Sequence, residues 1–184
     1  MSELDDIIEK YLNFEKDVRL MTDSVFARHC SCCDKVCCNR DFCRETLESP
    51  FLSHILENYP PSANYDTESG WLTDSGCRLF IGRPPVCYEF LCENILASQK
   101  SEFDRYMVKV LSALMTHIGK NSVDGRHLVE ILDEDDLQRI VPLRFEKKLQ
   151  EAQAALDVIA AHLQKEIFED SSFAILAKFI PYSG

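Results

Sequence analysis

Residues 28–45 read RHCSCCDKVCCNRDFCRE and hold six of the nine cysteines in this chain of 184 residues. The other three follow at Cys77, Cys87 and Cys92, and no cysteine comes later. Thiolates bind soft and borderline metals, so clustered cysteines are typical of a metal centre. Nine is an odd number, which excludes complete pairing into disulfides within the chain. We expect a metal centre, with a disulfide scaffold and redox-active thiols as the alternatives.

The spacing of the cysteines indicates two half-sites. Cys30 and Cys33 form a CxxC pair, a spacing at which two thiolates converge on one ion while intervening amides donate to the sulfurs. Cys37 and Cys38 are adjacent. Because adjacent side chains diverge, this pair suits two metals, or one metal and a second role. The second segment adds a Cx4C pair further along the chain. We expect the two segments to fold together and close one centre.

The two segments resemble a known family. The pattern CxxC-x3-CC, followed by GCRLFIGRPPVCYEFLC, is similar to the YkgJ-type cysteine cluster family, a zinc- or iron-chelating CxxCxxCC domain. The resemblance covers about residues 28–95, and it implies a bound zinc or iron without a settled reaction. The family signature falls on Cys30, Cys33, Cys37, Cys38, Cys77, Arg83, Pro84, Cys87, Phe90 and Cys92.

This chain departs from the family pattern at two places. One extra residue follows Cys33 before the next cysteine pair, so Cys32 is an alternative equivalent of Cys33. Family members often carry another cysteine shortly before the one that matches Cys77, where this chain has Trp71. Cys43 is the residue that could compensate. The resulting set of expected metal ligands is Cys30, Cys33, Cys37, Cys38, Cys77, Cys87, Cys92 and Cys43.

Eight thiolates suit zinc, which is the metal we expect. They would complete two sites of four cysteines each or a site with bridging thiolates. An iron or iron–sulfur centre with spare cysteines is the alternative, and the cysteine count leaves both open. Thiolates around a single metal leave a negative charge that calls for donors and cations nearby. Arg83, which stands between a glycine and two prolines, is the expected donor.

Other motifs predict no reaction. The sequence has no glycine-rich phosphate loop, no HExxH and no nucleophile elbow, so it assigns no catalytic residue and leaves open whether the protein is an enzyme. The histidines are scattered, and His29 beside Cys30 is the candidate ligand among them. We expect a metal-binding protein with a structural or accessory role, whose cluster fixes a surface for a partner. The alternatives are an iron–sulfur redox protein or enzyme component, and metal storage or delivery.

Composition and charge argue against several classes of protein. With 46% hydrophobic and 28% charged residues, the chain can bury a globular core. Its net charge of −11 argues against binding to nucleic acid or to anionic lipid. The start, MSELDDIIEKYLNFEK, is acidic and lacks the apolar core of a signal peptide. We expect a cytoplasmic protein whose partners are metal ions and, beyond those, a protein partner or a second copy of itself.

Hydrophobic periodicity predicts a mainly α fold, in which a helical scaffold carries an irregular, cysteine-rich segment. We expect a single domain over 1–184, with the cysteine-rich region at 24–97 and a helical region at 98–184. Apolar residues at helical spacing predict an N-terminal helix over 3–22. A second helix over 45–57 is expected to break at Pro50. Glycines and prolines between the later cysteines predict turns and a short hairpin.

The C-terminal half contains clear helix boundaries. Ser101 with Asp104 resembles a capping box, and Gly119 is a plausible end for that helix. A turn is expected at Asp124–Gly125, followed by a short helix, DEDDLQRI, that Asp133 begins. The last helix is expected to start at Pro142 and run about 40 Å. Its apolar stripe is core packing or a dimer seam, and comprises Phe145, Leu149, Ala152, Leu156, Ile159, Leu163 and Ile167.

Overall fold

The computed structural model describes residues 2–30, 39–74, 76–164 and 170–181, except for the side chains of 27–30 and 170–171. The fold is mainly helical, as predicted. In chain order the elements are α1 (Glu3–Cys30), α2 (Arg40–Cys43), α3 (Glu45–Glu48), α4 (Pro50–Asn58), β1 (Leu72–Thr73), β2 (Gly76–Cys77), α5 (Val86–Glu89), α6 (Glu93–Ala97), α7 (Glu102–Gly119), a 3-10 turn η1 (Leu128–Glu130), α8 (Glu134–Leu137), α9 (Pro142–Leu163) and α10 (Asp170–Leu176).

The main hydrophobic core lies between α1, α7 and α9, which all pack on one another. Each helix buries one apolar face there, represented by Tyr11, Leu111 and Leu156. Fully burying a large aliphatic or aromatic side chain contributes about 1.5–3 kcal/mol, so the stripes of these helices dominate the stability of the scaffold. Helix α4 packs on α1, and α10 packs on α9. The α9 stripe, which was interpreted as core or dimer seam, is largely core.

Helix α1 is longer than the sequence predicted. The expected helix ended at residue 22, and the irregular region was expected to begin at 24, whereas α1 continues to Cys30. No glycine or proline interrupts this stretch. Met21 and Val25 are partly buried against the main core and extend the apolar face at i and i+4. The first cysteine of the cluster therefore stands on the last residue of a 28-residue helix.

The boundaries around Pro50 and the hairpin match the prediction. Ser49 separates α3 from α4, and its hydroxyl accepts a hydrogen bond from the Leu52 N–H at 3.3 Å. Pro50 occupies the first turn of α4, where its missing N–H costs nothing. Strands β1 and β2 form the expected short antiparallel hairpin, which pairs Leu72 with Cys77.

The predicted helix starts in the C-terminal half are confirmed, but some helix ends differ. The Ser101 hydroxyl accepts from the Asp104 N–H at 3.0 Å. The Asp104 carboxylate contacts the His162 imidazole at 2.8 Å. Hydrogen bonds from His162 and Ser101 lower the pKa of Asp104. Asp133 begins α8, which stops short of the predicted end. Helix α9 spans 22 residues, about 33 Å, and Ile167 lies outside the described residues.

Gly119 ends α7 as predicted. Glycine fits there because another side chain packs directly against its Cα, not because the backbone needs the conformational freedom of glycine. A Cβ on this residue would overlap the imidazole of His127. That imidazole is buried and caps η1, because its Nδ1 accepts from the Val129 N–H at 3.3 Å. Its Nε2 contacts the Thr116 carbonyl at 3.1 Å, which requires a proton on Nε2. The ring is thus a structural histidine in the neutral form.

Among residues 2–30, 39–74, 76–164 and 170–181, no helix is both long enough and apolar enough to cross a lipid bilayer.

We predict that Gly119→Ala lowers the free energy of unfolding by about 1–3 kcal/mol, because the new methyl group must displace the His127 ring. Helix propensity alone predicts the opposite sign, since alanine is favoured over glycine by about 1 kcal/mol inside a helix. Urea unfolding of Gly119→Ala, with exposed Lys109→Ala on the same helix as the control, measures the effect. A stabilised Gly119→Ala variant would contradict the close approach.

The buried His127 also predicts a pH dependence. Burial lowers the pKa of His127 below 6.5, although the Glu130 carboxylate raises it in part. The unfolded chain then binds the proton more readily than the folded chain, so the free energy of unfolding falls as pH falls below about 6.5. In His127→Asn, whose side-chain oxygen can retain the cap, this slope should be smaller. Equal slopes between pH 7.5 and 5.5 in the two proteins would refute this assignment.

Candidate metal centre

The second cysteine segment follows a series of short elements. Cys77 ends strand β2, Cys87 lies in α5, and Cys92 is the residue that precedes the first turn of α6. All three are half-buried. Pro84 and Pro85 lead into α5, and the backbone angles of Pro85 suit a helix start. The segment therefore presents three cysteines from turns and helix ends rather than from one regular element.

A buried carboxylate on α1 holds this segment. Glu15 is fully buried, and its Oε2 accepts a hydrogen bond from the Gly82 N–H at 2.8 Å. Its Oε1 accepts from the Arg83 N–H and from the Tyr88 hydroxyl, both at 2.9 Å. A buried charge is tolerated only when hydrogen bonds replace its lost hydration. We call these three bonds the Glu15 clamp. They hold the backbone just before the two prolines and the Tyr88 side chain just after Cys87.

The pKa of Glu15 is raised, because the effect of burial outweighs the hydrogen bonds from Gly82, Arg83 and Tyr88 and the charge of Arg83, which all lower it. The two backbone N–H groups of the clamp can only donate, so their hydrogen bonds favour the carboxylate form. Burial raises the pKa of Tyr88 well above 10, so its hydroxyl remains a donor at neutral pH. The clamp is a matched set of one acceptor group and three donors.

The Arg83 side chain has a role that the sequence did not predict. Its Nε donates to the Leu79 carbonyl at 2.8 Å. The expected donation from Arg83 to the cysteine sulfurs stays a prediction. The Arg19 guanidinium of α1 reaches the same carbonyl at 3.1 Å. Together these bonds close the turn between β2 and α5 and fasten it to α1.

Cys43 lies in a small apolar cluster with Trp71 and Leu79. The Trp71 indole N–H donates to the Thr46 hydroxyl at 2.8 Å, and that hydroxyl donates to the Cys43 carbonyl at 2.6 Å. A Cβ on Gly70 would come within 3.1 Å of the Cys43 sulfur. Such packing is typical of a free cysteine that acts as a small hydrophobic residue. Its assignment as a metal ligand stays a prediction.

The first cysteine segment meets the second through its described end. The Phe42 and Phe90 rings lie with centroids 6.2 Å apart, so α2 lies beside the residues that carry Cys87 and Cys92. Cys77 packs against the cluster that contains Cys43. The expected ligands Cys33, Cys37 and Cys38, and the alternative Cys32, lie outside the described residues, as does the side chain of Cys30.

The described side chains do not complete a metal site by themselves. Within residues 2–26, 39–74, 76–164 and 172–181, no three His, Cys, Asp or Glu side chains converge as metal ligands do. Cys43, Cys77, Cys87 and Cys92 are in this part of the chain. A metal centre that uses these four cysteines would need further ligands from residues 30–38. The division of the cysteines into two half-sites predicts this arrangement.

The described histidines have structural contacts. His54 contacts Glu134 at 2.5 Å, and His117 contacts Glu151 at 3.1 Å. His162 and His127 are engaged by Asp104 and by the backbone, as described above. The side chain of His29, the expected candidate ligand, lies outside the described residues.

A cleft that the sequence did not predict, with carboxylates among its lining residues, opens beside the second segment. It has a volume of about 590 Å³ and lies between α2, α3, α5 and the end of α7. Its acidic lining comes from four separate elements, which is why no local pattern indicated it. Burial raises the pKa of Glu45, and the Glu130 carboxylate raises it further. The carboxylates of the lining are Asp41, Glu45, Glu89 and Glu130.

Comparison with protein-family models, with curated proteins and with solved structures finds no match to this chain. The resemblance to the YkgJ-type cysteine cluster family therefore rests on the cysteine pattern and on the GRPPVCYEFLC stretch, and it stays a prediction. The Glu15 clamp holds part of that same stretch.

We predict that Glu15→Gln lowers the free energy of unfolding by about 2 kcal/mol, because the amide NH2 would face a donor and leave it unpaired. Glu9→Gln, an exposed substitution on the same helix, is the control and should change stability by less than about 0.5 kcal/mol. Chemical unfolding of the three proteins at pH 7 measures the difference. Equal stability of Glu15→Gln and wild type would show that the clamp does not hold the segment.

Proposed function

We propose that this chain is a metal-binding protein that holds a cysteine-ligated zinc centre with a structural or accessory role. The centre would join the two cysteine segments and fix the surface that they present to a protein partner. Iron or an iron–sulfur cluster is the alternative metal content, and it would favour a redox role. The resemblance to the YkgJ-type family supports a bound metal and is silent on any reaction.

The contact between Phe42 and Phe90 is the observation that carries this proposal. It brings the end of the first cysteine segment to the second segment. Consecutive Cα atoms are about 3.8 Å apart, so connectivity keeps residue 38 next to Asn39, one residue before α2 begins. The described end of the first segment, at α2, therefore lies beside the end of α5, which carries Cys87. That proximity supports one centre rather than two unrelated clusters.

The chemistry of the available donors fits zinc. Cys77, Cys87 and Cys92 are half-buried, so their sulfurs can face a metal without crossing the main core. Structural zinc sites are closed by four protein ligands, commonly thiolates. The three cysteines of the second segment leave a four-ligand site one thiolate short. The first segment can supply that ligand from Cys30, Cys33, Cys37 and Cys38, with thiolates to spare for a second or bridged site. Zinc bound in this way would contribute to the stability of the cysteine-rich region.

Elemental analysis tests the proposal. The full chain, purified without air and without a metal-binding tag, should be colourless and contain stoichiometric zinc. Cys87→Ser and Cys37→Ser should each lower the zinc content and the stability of residues 24–97, because each removes a ligand. Glu89→Gln, an exposed change two residues from Cys87, is the matched control and should retain the metal.

Each outcome of that analysis has a definite meaning. Full metal retention in both cysteine variants would contradict the ligand assignment. A brown protein that absorbs near about 400 nm and contains iron would replace zinc by the iron–sulfur alternative. Cys32→Ser should have a milder effect than Cys37→Ser. Loss of metal in Cys43→Ala would confirm Cys43 as a ligand, while loss of stability with the metal retained would limit it to its apolar cluster.

A further inference from the structure

The stretch that follows β2 lines a second cleft, which has a volume of about 580 Å³. Arg78 and Phe80 belong to this stretch, and Tyr59, Pro60 and Pro61 line the same cleft from the segment that follows α4. We call this cleft the aromatic groove. Its two rings are exposed, Tyr59 by 46% and Phe80 by 54%. Aromatic side chains and arginine are enriched where proteins bind one another, so the groove has the composition of a binding surface.

The residues of the groove are held in place by the rest of the fold. The Arg19 guanidinium of α1 donates to the carbonyls of Leu79 at 3.1 Å and of Phe80 at 3.4 Å. A Cβ on Gly82 would lie 3.0 Å from the Ile55 side chain, so the end of this stretch packs directly against α4. A surface that is ordered in advance loses less conformational entropy when a partner binds.

The groove is cationic, although the protein is acidic. The chain has 31 acidic and 20 basic residues, yet the described residues that line the groove include Arg78 and no aspartate or glutamate. The Lys16 ammonium lies 5.4 Å from the centroid of the Tyr59 ring. The Arg19 guanidinium lies 5.5 Å from the centroid of the Phe80 ring. Cations therefore lie beside both exposed rings.

Arg78 carries the charge that is most available to a partner. Arg19 is already paired with Asp23 at 2.8 Å. Hydrogen bonds from Ser69 are the main reason that the pKa of Asp66 is low, and the charge of Arg78 contributes least to that shift. No described carboxylate lies within ion-pair distance of the Arg78 guanidinium, which is exposed. An anionic partner could pair with it without displacing a carboxylate of the described chain.

We propose that the aromatic groove binds an acidic segment of a partner protein. Carboxylates of that segment would pair with Arg78 and Lys16, and an aromatic or aliphatic side chain would pack on the Tyr59 and Phe80 rings. Charge complementarity is the reason to expect an acidic occupant. This inference rests on the proposed function, since it names the kind of partner for the surface that the cysteine segments present. Arg78 directly follows Cys77, so the groove belongs to the second segment.

Fluorescence anisotropy of a labelled peptide tests the groove in the full chain, purified without air. The probe is a short peptide in which glutamates flank a central phenylalanine. We expect binding that weakens as salt rises, because exposed charges are screened. A peptide with lysines in place of the glutamates, and one with serine in place of the phenylalanine, should each bind at least about tenfold more weakly. The zinc content of the same sample is measured in parallel.

Variants of the protein locate the binding. Arg78→Glu and Phe80→Ala should each weaken binding of the glutamate–phenylalanine peptide at least about tenfold. Lys147→Glu, an exposed charge reversal on α9, changes the net charge as much as Arg78→Glu does and should leave the affinity unchanged. Thermal unfolding checks that each variant is folded. Tyr59→Ala removes the second exposed ring and should have the effect of Phe80→Ala if that variant unfolds.

Other occupants would give different results. Preferential binding of a single-stranded thymidine oligonucleotide, lost in Arg78→Glu, would overturn the inference in favour of nucleic acid. Self-association of the wild type that Arg78→Glu abolishes would assign the groove to a second copy of the chain. Equal affinity of the peptide for Arg78→Glu and Lys147→Glu would refute the inference, as would the absence of binding at peptide concentrations up to about 1 mM.

The inference and the proposed function can fail separately. If the wild type contains stoichiometric zinc and does not bind the peptide, the assignment of the groove is refuted and the metal centre stands. If the wild type binds the peptide through Arg78 and Phe80 but contains no metal, the metal centre fails and the groove remains a binding site for acidic segments.

Discussion

The buried carboxylate of Glu15 is the constraint on which the arrangement of the cysteine segments depends. Its two oxygens accept three hydrogen bonds from Gly82, Arg83 and Tyr88, and no water is needed to satisfy it. Burying a carboxylate is costly unless such donors are in place, so the segment and the helix stabilise each other. Removing either side leaves buried polar groups unpaired. A turn with two prolines is in this way fixed to a long helix.

The helical scaffold gives the clamp its rigidity. Helix α1 is held by α7 and α9 through the main core, and its Glu15 and Arg19 side chains bind the second segment. The small cluster around Trp71 holds the same segment at its other end. The Phe42 ring then brings the first segment to it. Helical packing thus positions a region that has little regular structure of its own.

Local signals explain which parts of the fold the sequence predicted. Ser101, Asp133 and Pro142 mark helix starts through their own backbone or side-chain chemistry, and each start was found where it was expected. The length of α1 was underestimated because the apolar face continues through Met21 without a breaker. The clamp could not be predicted, since a glutamate on an amphipathic helix normally faces solvent and its partners are 67 to 73 residues away. The cleft was not predicted either, because its carboxylates come from four elements that are separate in the sequence.

X-ray absorption at the zinc edge tests the central claim most directly, because it reports the element and the distance of the atoms bound to the metal. The full chain, purified without air, should show a shell of sulfur atoms only, at about 2.3 Å from zinc. That result is expected if the two cysteine segments close one thiolate centre against α1. A shell dominated by nitrogen or oxygen at about 2.0–2.2 Å, or a chain that retains no metal, would contradict it.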